Sequence, residues 1–149
     1  MDLTAEEYAA IIANDQMAFT EECFNVVSPG DVFAPNWHIE AIVEYLKAVE
    51  DGEFNRLVIN MPPRALKSIS VSIAWPAWLL GNEPTRRIIC SCYGERLSKR
   101  LSVDTRLVMN SDFYKLAFPG TRIAYDQNEK TLFKTTEQGF RMSTSLDGS

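Results

Sequence analysis

The sequence is poor in the residues that metal and disulfide chemistry require. His38 is its one histidine, and three cysteines are scattered through 149 residues. Cys90 and Cys92 sit two apart, with no further Cys or His at ligand spacing, which argues against a zinc site. An odd cysteine count without a framework spacing fits a reducing cytoplasm rather than a stapled secreted domain. No long apolar run exists either: Ile73 to Leu80 is interrupted by Pro76 and is too short to cross a bilayer. The N-terminus is acidic and lacks the basic-then-apolar order of a signal peptide. Together these absences predict a soluble, intracellular protein with no membrane partner. Positive charge is also in deficit. A formal net charge of -5 opposes nucleic-acid binding through bulk charge, although a local basic surface can sit on an acidic average.

What is present suits one folded domain. Apolar residues make up 46% and charged residues 23%, ordinary shares for a globular chain. Residues 1–30 read as two helices. Thr4 and Glu7 form a capping box, Tyr8, Ile11 and Ile12 recur at helical spacing, Asn14-Asp15 divides the pair, and Ser28-Pro29-Gly30 ends it. This segment, 1–35, is expected to cover the rest of the domain or to serve as an arm for a partner. Asn36 then caps a helix with the apolar stripe Ile39, Ile42, Val43, Leu46 and Val49, stopped by Asp51-Gly52. Trp37 and His38 stand at its first turn, where they either meet a purine or are simply a core aromatic and a cap residue.

The stretch RLVINMPPRALKSISVSIAWPAWLL, Arg56 to Leu80, organises the remainder. Leu57, Val58 and Ile59 read as a β-branched strand, followed by a tight loop and by Lys67-Ser68 opening a helix. That helix places Val71, Ala74, Trp75, Trp78 and Leu79 on one face, is kinked at Pro76 and ends at Gly81-Asn82. Strand, loop, Lys-Ser and helix is the plan of a P-loop, in which main-chain N–H groups and a helix N-terminus cradle phosphates. The spacing GxxxxGK[ST] would put glycines at Met61 and Leu66, and neither is glycine. Arg87 to Cys92 is expected as a second, parallel strand completing a right-handed β-loop-α-β unit. Glu95 to Asn110 follows as a helix with Leu97, Leu101, Leu107 and Val108 inward. The basic residues Arg86, Arg87, Arg96, Lys99, Arg100 and Arg106 cluster around it, as a DNA contact or as a solvated face. Ser111 caps a short helix through Ala117. From Thr121 alternation marks a β-meander with turns at Asp126-Gln127-Asn128 and Glu137-Gln138-Gly139.

Several of these pieces together resemble the N-terminal ATPase half of phage terminase large subunits, motors that drive DNA into preformed capsids. The carrying residues are Trp37-His38-Ile39, Arg56 through Arg64, Lys67-Ser68, Trp75 through Gly81, Arg87-Ile88-Ile89 with Tyr93 after the strand, and Gln138 through Arg141 to Gly148. In this family the loop commonly reads Pro-Pro-Arg, two small residues ending in glycine, then Lys-Ser, so that only Leu66 departs from it. The resemblance implies an α/β P-loop NTPase core of the additional-strand type, with a parallel βαβ sheet, over residues 36–149. It implies ATP and Mg²⁺ as cofactors, held by Pro63, Arg64, Ala65, Leu66, Lys67 and Ser68. Lys67 would bind β/γ-phosphate oxygens, Ser68 would hold Mg²⁺, and Arg64 would sense the γ-phosphate. Trp37 and His38 match the region near the adenine, and Ser91 to Tyr93 the motif that couples nucleotide state to DNA.

By the same resemblance the Walker B acids would follow the Gly148 region, so the chain is expected to be the amino-terminal piece of such a motor, truncated before Walker B. The whole protein would hydrolyse ATP to translocate double-stranded DNA. It would work with a portal protein and a small terminase subunit, as a ring on the portal in the bacterial cytoplasm. The rival expectation is a catalytically inactive prophage remnant, or an interaction domain on a P-loop scaffold.

Overall fold

The computed structural model describes residues 3–146, leaving aside the side chains of Gln127 and Asn128. The Asp147–Ser149 tail, which the resemblance includes, lies outside the described residues. Helix α1 (Ala5–Asn14) starts at the Thr4–Glu7 capping box, and α2 (Gln16–Val27) is capped by Asp15, whose carboxylate accepts from the N–H groups of Met17 and Ala18. Helix α3 (Trp37–Glu50) begins at Asn36 without a side-chain cap and ends at Asp51, where Gly52 takes a φ of 78°.

Helical structure resumes as a π-helical segment, Ser68–Ala74, which continues into α4 (Trp75–Asn82). The N–H of Trp75 reaches back five residues to Ser70. Pro76 explains the altered ladder: it has no N–H to give the carbonyl of Ser72, four residues earlier. Strand β1 (Arg87–Cys92), α5 (Glu95–Asn110), α6 (Asp112–Ala117), β2 (Ile123–Asn128), β3 (Leu132–Thr135) and β4 (Phe140–Ser145) complete the described chain.

The strands form one open mixed sheet in the order β1-β4-β3-β2, parallel between β1 and β4 and antiparallel elsewhere. The fold is therefore α/β, and the expected meander is present, but two expectations need correction. Leu57–Ile59 is not a strand: the backbone there has no ladder partner, and Val58 is 81% exposed. Consequently β1 finds its parallel neighbour in β4, 50-odd residues later in the chain, rather than in the segment before the loop. β-branched composition favours an extended backbone, and a strand still needs a neighbour to bond with.

The core gathers α1, α2, the π-helical segment, α4, α5, α6 and β3 around Phe19, which is 0% exposed. Its ring meets Trp78, Phe113 and Phe118 edge-on at centroid distances of 5.4, 5.6 and 5.8 Å. Helix α4 and the segment after α6 approach so closely that a Cβ at Gly81 would lie 2.6 Å from the Phe118 ring. On α5 the inward stripe is Ser98, Leu101, Ser102, Thr105, Val108 and Met109. The expected inward Leu97 and Leu107 are about half exposed instead, at 49% and 50%. Serines and a threonine at helical spacing pack closely against the neighbouring segment, and the leucines are displaced to the flanks.

Candidate functional site

The segment before the loop is extended and alternates between half-buried (Leu57, Ile59, Met61) and exposed (Val58, Asn60). Pro62 and Pro63 then turn the chain. Two non-glycine residues follow in left-handed conformation, Arg64 with φ 65° and Leu66 with φ 56°. Lys67 returns to right-handed values, φ -52° and ψ -45°, and the helix begins. A left-handed residue followed by a right-handed one turns successive main-chain N–H groups toward one side, making a concavity suited to anions. That concavity, about 350 Å³, is lined entirely by Pro62 to Ile69.

Leu66 holds the position in two ways. Its carbonyl accepts from Ser70 N–H at 3.0 Å and from Ser70 Oγ at 3.1 Å, which draws it into the helix. Its side chain, with Ile69 and Met17, packs on the cluster Phe24, Phe33 and Ile39. A left-handed leucine costs about 1–2 kcal/mol relative to a relaxed backbone, and this packing offsets it.

The structure brings Pro63, Arg64, Ala65, Leu66, Lys67 and Ser68 together around the concavity. Arg64 and Ser68 are exposed, and Lys67 is half-buried. The helix start adds its own unbonded N–H groups and positive dipole end. Among the described residues no group of three or more His, Cys, Asp or Glu could hold a metal ion. The Ser68 hydroxyl could supply one oxygen to a Mg²⁺ whose other ligands are phosphate oxygens and water, a common arrangement for this ion.

Trp37 and His38 are not part of that lining. Trp37 is 75% exposed and meets the His38 ring edge-on at 6.1 Å. The His38 Nε2 is buried without a partner among the described residues. Helix α3 reaches the loop through Ile39, which packs in the cluster that also receives Leu66 and Ile69. Ser91 is exposed near the end of β1, and Tyr93, just beyond it, is 74% exposed. Of the clustered basic residues, Arg86 contacts Glu83 at 2.6 Å, Lys99 contacts Glu95 at 2.5 Å, and Arg100 contacts Asp104 at 3.7 Å. These short-range pairings make much of the cluster a solvated, self-paired face.

Sequence reasoning missed Arg141. It is 0% exposed, at the centre of the sheet on β4, bonded to Ser143 Oγ and to the carbonyl oxygen of Ser72 at 3.3 Å. No carboxylate pairs with it among the described residues, and its Nε has no partner. Burial pulls its pKa down, opposed by the neighbouring Cys90 and Cys92, and the Cys90 thiol is itself pushed up by burial. The available signal was its alternation with Ser143 on one face of β4, which a reader of charge alone assigns to solvent.

Compared with protein-family models, with curated proteins and with solved structures, the chain matches none.

Proposed function

We propose that this is a nucleotide-binding domain with a P-loop NTPase core, in which the loop Pro62–Ser68 cradles the terminal phosphates of Mg·ATP. The observation that carries the proposal is the pair of left-handed residues, Arg64 and Leu66, bracketing a concavity at a helix start. A backbone held in this conformation without glycine is a feature that packing must maintain, and strained backbone concentrates at ligand sites. In this role Lys67 neutralises β/γ-phosphate charge, Ser68 offers its hydroxyl to the nucleotide's Mg²⁺, and Arg64 faces the γ-phosphate from the loop's exposed side. Trp37 and His38, which directly precede Ile39 at the start of α3, are assigned to the adenine end.

The particular protein proposed is the N-terminal part of a phage terminase large subunit, whose whole form hydrolyses ATP to translocate double-stranded DNA through a portal. Its support is the ordered set of resembling segments from Trp37 to Arg141. The experiment has two arms. Equilibrium competition should rank Mg·ATP and Mg·ADP well above Mg·AMP, because the loop reads the outer phosphates; equal affinity for all three would overturn the phosphate-loop assignment. Co-sedimentation with a portal ring should then retain the chain, and failure of a correctly folded chain to associate with any phage portal tested would count against the terminase assignment.

A second reading is favoured by one observation. No carboxylate lines the concavity to orient an attacking water. A domain that binds nucleotide, or only a partner, without turnover fits that lining.

A further inference from the structure

We infer that a cleft separate from the phosphate loop, between the α1–α2 junction and α3, binds a basic segment of a partner protein. The cleft has a volume of about 710 Å³. Its walls carry Asp15, Glu40, Glu44, Glu50 and Asp51; Asp15 is engaged as the α2 cap and Glu50 meets Arg86 at 4.0 Å, which leaves Glu40, Glu44 and Asp51 against a single Lys47. Glu40, Glu44, Lys47 and Asp51 fall at intervals of four, three and four along α3 and its cap, so they share one helical face. Two carboxylates four residues apart repel by roughly 0.2–0.5 kcal/mol, although Glu40 gains from its place in the first turn of α3 and Glu44 from Lys47 three residues on.

Charge alone would describe a solvated face. An independent feature distinguishes this one: Gln16, in the cleft wall, is only 7% exposed, and its Nε2 has no hydrogen-bond partner. A buried amide nitrogen left unbonded costs about 1–3 kcal/mol and calls for an acceptor from outside. The apolar part of the lining includes Val43 and the edge of Trp78, which is 8% exposed.

These features specify the occupant's chemistry. It must bring positive charge for the carboxylates, a hydrogen-bond acceptor for Gln16, and a stem that tolerates contact with an indole. A bare metal ion brings no acceptor, and no metal-holding group exists among the described residues. A polyamine brings charge and stem without an acceptor. An arginine- or lysine-rich peptide brings all three: cationic heads, main-chain carbonyls, and aliphatic stems that lie against an indole edge.

The test is fluorescence anisotropy with a labelled decapeptide alternating arginine and glycine, titrated with the full chain at about 50 mM and about 300 mM salt. Binding should weaken at least about tenfold in the Glu40→Gln/Glu44→Gln double variant, a loss of about 1.4 kcal/mol. These side chains are exposed and mutually repelling, so the variant keeps its fold. A control, Glu6→Gln/Glu21→Gln, removes the same charge from exposed positions outside the cleft and should bind as the parent does. Gln16→Leu should weaken peptide binding several-fold without reducing thermal stability. Equal losses in the cleft and control variants would reduce the effect to bulk charge and overturn the proposal. So would equal competition by spermidine, or sedimentation showing the cleft already covered by a second copy of the chain. Lys67→Ala should leave peptide binding unchanged, so this outcome and that of the phosphate loop are read separately.

Discussion

The guanidinium of Arg141 donates to the main-chain oxygen of Ser72 at 3.3 Å, joining the centre of the sheet to the helix that follows the loop. Ser72 is the residue whose carbonyl Pro76 cannot serve, and Thr105 Oγ1 donates to the same oxygen at 3.4 Å. One proline thus creates an acceptor that β4 and α5 both use. The loop helix is fixed to the sheet through this point, which is how a change at the loop would reach β4.

The buried cation at that junction should be expensive. Replacing it with methionine removes the desolvation penalty while keeping most of the volume, and Thr105 still serves Ser72. Arg141→Met should therefore raise stability by about 1 kcal/mol, whereas Arg141→Ala, which leaves a cavity, should lower it by more than about 2 kcal/mol. Urea denaturation of the three proteins checks both signs. A methionine variant less stable than the parent by more than about 2 kcal/mol would show that the hydrogen bonds outweigh the desolvation.

Leu66 combines an unfavourable backbone with favourable packing, and two substitutions separate them. Leu66→Ala keeps the left-handed strain and loses contact with the Phe24–Phe33–Ile39 cluster; Leu66→Gly loses the contact and the strain together. The glycine variant should be more stable than the alanine variant by about 1 kcal/mol, reversing their usual order. Chemical denaturation measures the gap. For phosphate ligands the glycine variant should also bind more tightly, since the loop backbone can approach them closely.

Much of this was legible in the sequence, and the failures share a cause. Helix ends were marked by local chemistry: Thr4–Glu7, Asp15, Ser111 and Gly52 act within a few residues of themselves. The left-handed backbone at Leu66 falls where a phosphate loop ordinarily places glycine, the residue suited to that conformation. Strand partners are not local. Val58 has the composition of a strand without a neighbour, and β1 pairs with β4 through Arg87 opposite Phe140, a contact between distant parts of the chain. Leu97 and Leu107 were misassigned because hydrophobicity alone does not reveal which helix face lies close enough to a neighbour to require serine and threonine. Arg141 and the Gln16 cleft depend on burial, which composition does not encode.

Gly139 is needed for a close approach rather than for freedom of rotation. A Cβ there would lie 2.1 Å from the Pro84 carbonyl oxygen and 2.6 Å from that of Arg86, both main-chain atoms. The Gly139 N–H also donates to the Pro84 oxygen at 3.1 Å. Gly139→Ala must displace the β3–β4 turn from the chain entering β1. It should cost about 3 kcal/mol or more, read as a fall in the urea midpoint.

Alkaline pH should destabilise the protein through Cys23. Burial raises this thiol well above its usual value, reinforced by nearby Glu22. The unfolded chain releases the proton near pH 9 while the folded chain retains it, so the unfolded state binds fewer protons and stability falls as pH rises. The slope from this group should approach about 1.4 kcal/mol per pH unit above about pH 9. Tyr8, raised to about 12 by burial and by Glu22, adds to the decline above its ordinary range near 10. Denaturation at about pH 8 and about pH 10 measures the difference, and Cys23→Ala should reduce it. An unchanged slope in that variant would assign the effect elsewhere.

Calorimetric titration of the chain with Mg·ATP tests the central claim most directly. The concavity at Pro62–Ser68 predicts one site with an affinity in the micromolar to millimolar range, about -4 to -8 kcal/mol, weakened at least about tenfold by Lys67→Ala and strengthened by Leu66→Gly. Absence of heat from the parent chain, or equal binding by the parent and Lys67→Ala, would contradict the assignment of this loop as a phosphate cradle.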